Sequence, residues 1–197
     1  MSPRSKKQFE ELRDVSKNTI EETALELFGH QGFKNTSIAQ IALKAGISKG
    51  LIYNYYSSKA DLLRALITGA MSKGDDILDM NSLESLSPDE VLNQIVDAAY
   101  LLIKENQAYW KLLTSLSFQA DVMEELREII HAKARQGTAF IIPFFEKLGY
   151  PDPESQAFLF GATLDGIGLH FITLGKDYPL EKSIETFKKT YCKPFHS

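Results

Sequence analysis

Apolar residues along this chain recur every three to four positions, the period of a helix, and no stretch of strand-like alternation rises above the background. Ile20, Ala24, Leu27 and Phe28 share one face of a first amphipathic helix predicted over about residues 9–29. GHQGF interrupts the pattern, with Gly29 and Gly32 as stop signals and Phe33 left to plug the core. Ile38, Ile41, Ala42 and Ala45 mark a short second helix that Thr36 or Ser37 opens, and Ser37 with Gln40 has capping-box spacing. Gly46 ends it. Ser48 is placed to cap a third helix from Lys49 to Tyr56, and Ser58 with Asp61 forms a further box that opens a helix through about residue 79.

The second half repeats the theme. SPDE at 87–90 sets serine at a cap, proline at the first helical position and glutamate to close the box, so a helix runs to about Lys104. Others follow over Gln107–Phe118 and Asp121–Leu148, the latter expected to kink or break around Ile142 because Pro143 lacks an N–H. Asp152 and Pro153 open a helix ending at Gly175, and a last one covers about 180–191. The expected fold is all-α with about nine helices. It divides into a helix-turn-helix head over residues 1–60, a linking helix over about 58–79, and a larger helical body over 81–197.

Charge changes this picture. The whole chain of 197 residues carries −4. Residues 1–60 nevertheless hold nine basic and six acidic side chains, while 61–197 hold thirteen and twenty. A basic head on an acidic body is the asymmetry expected of a segment that meets phosphates, because the local field matters more than the total. Composition narrows the class further. One cysteine, Cys192, permits no internal disulfide and suits a reducing cytoplasm. The basic, polar N-terminus does not read as a signal peptide, and FIIPFF at 140–145 is too short a run to span a bilayer, so no membrane role is expected.

Candidate chemistry concentrates in GISKGLIYNYYSSK, residues 46–59. Two short helices joined through a glycine turn fit a helix-turn-helix. On the second, Ile52, Tyr55 and Tyr56 stand at helical spacing and should pack on Ile41, Ala45 and Ile47, leaving Lys49, Gly50 and Tyr53 outward near the helix start. There the motif reads the major groove: glycine permits close approach, lysine meets phosphate or guanine, and a tyrosine hydroxyl meets phosphate. Thr36, Ser37 and Lys59 sit at helix starts, which also favour phosphate oxygens.

This segment closely resembles the DNA-binding domain of the tetracycline-repressor (TetR) family. The resemblance runs ungapped from about Thr19 to Leu63 through I-x3-A-x2-L-F, G-F, T-S-I-x2-I-A, A-G-I-S-K-G and I-Y-x-Y-Y-x-S-K-x-x-L-L. It implies a homodimeric transcriptional regulator, usually a repressor, whose C-terminal helices bind a small molecule and dimerise. Carried over by position, the DNA-facing set is Thr36, Ser37, Ser48, Lys49, Gly50, Tyr53, Asn54, Tyr55 and Lys59. Thr36 and Ser37 would meet phosphate or the groove edge, Lys49 and Gly50 the bases, and Tyr53, Tyr55 and Lys59 the backbone. Asn54 could reach either. Leu51 departs from the pattern, where relatives often carry threonine, serine or asparagine. It is the one feature leaning toward the alternative, a helical ligand-binding or adaptor protein with a vestigial head.

In the body, eleven of 21 aromatic residues fall between 100 and 171, enough to enclose an apolar pocket for an apolar or aromatic effector. Candidates to contact it are Gln107, Trp110, Thr114, Phe118, Thr138, Phe144, Thr163 and His170. Gly161, Asp165 and Gly168 form a stripe that would let a second helix approach, either across a two-fold dimer interface or within one subunit. No cofactor or metal is expected: Glu128 and His131 form a lone Glu-x-x-His, and Cys192 has no partner for zinc. Neither a phosphate loop nor a nucleophile elbow appears, so an enzyme is not expected.

Overall fold

The computed structural model describes residues 6–77, 83–117 and 120–195, and within them the side chains except those of residues 6–11, 70–77, 113, 117, 120, 121 and 125. Its helices are α1 (Lys6–Gln31), α2 (Ile38–Ala45), α3 (Lys49–Tyr53), α4 (Lys59–Ile77), α5 (Pro88–Glu105), α6 (Gln107–Ser117), α7 (Ala120–Lys147), α8 (Pro153–Leu174) and α9 (Leu180–Tyr191). A 3₁₀ turn, Gly175–Asp177, joins the last two. Among the described residues there is no strand.

Most helix ends follow the expected local chemistry. Ser37, rather than Thr36, caps α2, and its box with Gln40 is closed in both directions. Gly46 takes φ +67 beyond α2, a left-handed conformation that glycine adopts without steric cost. At α5 the Glu90 carboxylate accepts from both the N–H (2.8 Å) and the hydroxyl (2.6 Å) of Ser87. Asp152 accepts from the N–H of Ser155 at 3.0 Å, with Pro153 opening α8.

Four elements differ from expectation. α1 runs through Gly29 and stops at Gly32, which has φ +83. Gly29 serves packing instead: a β-carbon there would stand 3.6 Å from the Ala108 carbonyl and 3.8 Å from the Leu112 nitrogen on α6. α3 ends at Tyr53, although Tyr56 N–H still donates to the Ile52 carbonyl (3.0 Å), so the turn continues beyond the regular helix. The box opening α4 is displaced by one residue. Ser58 Oγ accepts from Asp61 N–H at 3.0 Å, but the Asp61 carboxylate reaches back to Ser57 N–H at 2.8 Å. Finally, α7 continues through Pro143, so of the kink or break expected there the break is absent. Pro143 and Ala139, whose carbonyl loses its donor, are both exposed, so water can satisfy that carbonyl.

Two apolar clusters hold the molecule together. The first joins Ile20, Ala24 and Phe28 of α1 to Ile41, Ile52, Tyr56, Leu62 and Ile67, and then extends into the body through Leu112, Leu116, Val122 and Leu126. Phe33 plugs it as expected, meeting Phe28 edge-on at 5.1 Å. The second gathers Leu92, Val96 and Ile103 with Phe145, Phe160, Leu164, Ile184 and Phe187. The head is therefore seated on α6 and the start of α7.

Candidate nucleic-acid interface and the body behind it

The N-terminal ends of α2 and α3 converge on one concavity of about 460 Å³, lined by Lys34, Asn35, Thr36, Ser37, Ile38, Ala39, Lys49, Tyr53 and Lys59. Three lysines line it and no carboxylate does, on a chain whose net charge is negative. A cationic hollow at two helix starts suits an anionic backbone. Lys34 and Asn35 were not among the sequence candidates. Their signal was a basic residue in the turn ahead of the cap, and only the fold shows that this turn borders the recognition helix.

Several expected residues stand on this face. Lys49 and Asn54 are exposed, and Tyr53 is 54% exposed with its ring outward. Ser48 caps α3, its Oγ accepting from Leu51 N–H at 3.1 Å. A β-carbon added at Gly50 would meet only Ser48 Oγ, at 3.8 Å, so the protein's own packing does not require glycine there. The room lies outside.

Three others are turned inward. Thr36 is 1% exposed; its hydroxyl donates to the Gly32 carbonyl (2.9 Å) and accepts from Gln31 Nε2 (3.1 Å). That corrects the expectation that its side chain meets phosphate. Lys59 Nζ donates to the carbonyls of Phe33 (2.7 Å) and Thr36 (2.8 Å) and lies 4.3 Å from the Phe33 ring centre. Burial holds its ammonium below the usual lysine range. Lys59 ties the α1–α2 turn to the start of α4. Tyr55 packs half-buried against the first cluster, its hydroxyl donating to the Arg13 carbonyl at 3.2 Å. Tyr56 is buried and donates to Glu21 Oε1 at 2.5 Å, and its burial pushes the phenol well above the ordinary range. Ile47 joins this packing, while Ala45 stays half-exposed outside it.

In the body the expected effector residues disperse. Gln107 is exposed and Thr114 and Thr138 are half-buried. Phe144 stacks edge-on with Phe140 of its own helix at 5.5 Å. Thr163 faces α9, 3.3 Å from the Tyr191 hydroxyl, and His170 lies exposed beside Tyr178. Phe118 lies outside the described residues.

One group does assemble, around Trp110. Its ring sits on the backbone of Gly168, where a β-carbon would be 3.3 Å from the indole. Gly168 is therefore spent on packing within the chain, which corrects its placement at a dimer face. Gly161 has nothing within 4 Å of such a carbon. Asp165, one turn before Gly168, is exposed at its surface, although desolvation by the surrounding protein holds its carboxyl above the usual carboxylate range. Tyr109 neighbours it: burial first, then the Asp165 charge, pushes that phenol up to about 12.

Beyond that group, α8 presents exposed Phe158, Leu159 and Leu169, and the segment Pro153–Asp177 is long and apolar enough to cross a membrane by length and composition, at a mean hydropathy of 1.5. Only 22% of that window is buried within the chain. Reading the sequence for unbroken apolar runs missed this, because small and polar residues interrupt it.

Comparison with known proteins accords with this architecture. The family described as "Bacterial regulatory proteins, tetR family" matches residues 20–66, and "Tetracyclin repressor-like, C-terminal domain" matches residues 87–187. HTH-type transcriptional regulator BetI of Escherichia coli O17:K52:H18 is 25% identical over 179 residues, covering 88% of this chain and 89% of that protein. The fatty acid degradation regulator FadR from Bacillus halodurans superposes with a TM-score of 0.76 at 17% identity, over 90% of this chain and 94% of the other. A transcriptional regulator from Saccharomonospora viridis in complex with choline does so at 0.66 and 20% identity, over 89% and 95%. Matched from the first buried residue of its head to the core of its last helix, the chain belongs to the TetR family of transcriptional regulators.

Proposed function

We propose that this protein is a repressor that binds a palindromic operator as a homodimer and leaves it when a small molecule occupies the body. The carboxylate-free, three-lysine hollow between the starts of α2 and α3 carries the reading. Lys49, Gly50, Tyr53 and Asn54 take the outward, DNA-facing part. Ser37 and Ser48 hold the helix starts against phosphate, with Lys34 and Asn35 added beside them. Tyr55 and Lys59 brace this surface from behind. The head extends over about residues 1–60 and the effector and dimer body over 81–197, with α4 between. Such a protein acts where the chromosome is, in the cytoplasm.

The uncovered apolar face of α8 supports dimerisation: Phe158, Leu159 and Leu169 are exposed large hydrophobic residues on one helix. A two-fold arrangement sets two recognition helices one DNA turn apart, roughly 34–36 Å. The effector belongs in the body, among its aromatic side chains. Selection of bound duplexes from a random pool, at moderate salt, tests the whole reading. An inverted repeat should be enriched, and affinity for it should fall steeply with added salt. Folded dimer that enriches no sequence would overturn it and favour the adaptor alternative.

A further inference from the structure

The hollow between α2 and α3 serves only one flank of the recognition helix. Ile52 and Tyr56 are buried, so Gly50 and Asn54, at the opposite angle, face outward. At about 100° per residue, Lys49 and Tyr53 stand to one side of that outward line, and Leu51 and Tyr55 to the other. The hollow takes Lys49 and Tyr53, and none of its lining residues comes from α1. A helix about 10–12 Å across fills a major groove about 12 Å wide, so each flank faces a phosphate strand of its own.

On the second flank stands Arg13 of α1. The Tyr55 hydroxyl donates to the Arg13 carbonyl at 3.2 Å, and the guanidinium carbon lies 5.7 Å from the Tyr55 ring centre. Those two contacts fix one turn of α1 beside the end of α3. The Arg13 side chain is exposed and forms no ion pair with a described carboxylate, whereas Lys17, one turn further along α1, is engaged with Glu21 at 3.8 Å. A guanidinium held at an aromatic ring keeps its N–H donors for oxygens, and that planar fork matches a phosphate.

We propose that Arg13 contacts a backbone phosphate on the DNA strand opposite the one that the hollow meets, so that the recognition helix is gripped on both walls of the groove. It rests on the reading of the head as DNA-binding. Arg13 stands ahead of residues 20–66, the family-matched segment, so the contact lies outside the shared motif. Tyr55, itself turned inward, then acts on DNA at one remove by carrying the residue that touches phosphate. Phosphate contacts seat a protein without choosing bases, and Arg13 sets the placement of α3 in that way.

The full chain, Arg13→Gln and Arg13→Lys are titrated against the selected operator and against a duplex of arbitrary sequence, over a range of salt. Each phosphate contact releases about one counterion. Arg13→Gln should therefore shallow the log–log salt dependence by about one for each engaged head, and weaken binding by about tenfold per head near 0.1 M salt. Arg13→Lys should keep the parent's slope, because it keeps the charge. An unchanged slope in Arg13→Gln on either duplex, or a slope lost equally in Arg13→Lys, would overturn the proposal. The unmodified chain gives a check that no misfolded variant can obscure. Ethylation of single phosphates should block it on both strands of each half-site, and interference confined to one strand would refute the second grip. A failed selection with a slope change on the arbitrary duplex would reject the repressor and leave the Arg13 contact standing; an enriched repeat with no slope change would do the reverse.

Discussion

Two lysines of the same hollow make a contrast that sequence alone could not draw. Lys49 is exposed, while Lys59 spends its ammonium on the carbonyls of Phe33 and Thr36. Lys49→Ala should weaken operator binding by about 1–3 kcal/mol with the melting temperature unchanged. Lys59→Met should do the reverse: losing the ammonium bonds to both carbonyls, of which Phe33's keeps the Thr36 N–H, costs about 1–3 kcal/mol of stability, visible as a lower melting temperature in calorimetry. Asp165 makes a second residue-scale case. Its folded pKa is raised, so the fold binds that proton more tightly than the unfolded chain and loses stability as pH rises from the usual carboxylate range through the raised value. Asp165→Asn removes the titration. Thermal melts should show the variant more stable than the parent at neutral pH, the gain vanishing once both pKa values lie above the pH; a parent melt that is flat across this window would refute the desolvation argument.

At the scale of elements, helix starts were readable because capping is local: Ser37 with Gln40 and Ser87 with Glu90 need only their own four residues. Gly29 and Pro143 misled for the same reason, since each reads as a breaker until its neighbours are known. Gly29 is helical and close to α6; Pro143 is helical and open to solvent. Pro143→Ala should restore the bond to the Ala139 carbonyl and relieve the ring's clash with the preceding turn. A proline inside a helix costs up to about 3 kcal/mol relative to alanine. A gain of about 1–3 kcal/mol is expected, raising the melting temperature by about 2–4 °C for each kcal/mol in a chain of this size. No rise would mean that the backbone around Pro143 has already found compensating partners.

For the whole molecule, the question is what covers α8. Phe158 and Leu169 are 58% and 41% exposed, so glutamate at either leaves the chain's own core intact. In a dimer built on that face the same change buries an unpaired carboxylate, a cost of several kcal/mol. Phe158→Glu or Leu169→Glu should therefore shift sedimentation from dimer to monomer at unchanged helicity. Operator affinity should fall with it, because a single head engages only one half-site. A variant that remains dimeric would place the interface elsewhere. Head and body also meet away from the linking helix. The described seam runs through Gly29 on α1 and through Leu112 and Leu116 on α6, elements far apart in sequence.

The sequence by itself determined the all-α class, the positions of most helices, the capping serines and the motif that marks the head. All of these depend on periodicity and on contacts within a few residues. Tertiary structure alone decided which side chains of that motif face outward. The turn that receives Lys59 and the helix that receives the Tyr55 hydroxyl come from distant segments. It also decided that the Trp110 ring lies on Gly168, since nothing local relates residue 110 to residue 168. Burial and pairing are properties of neighbours brought together by folding, and a linear pattern carries only the part of them that lies within one helical turn.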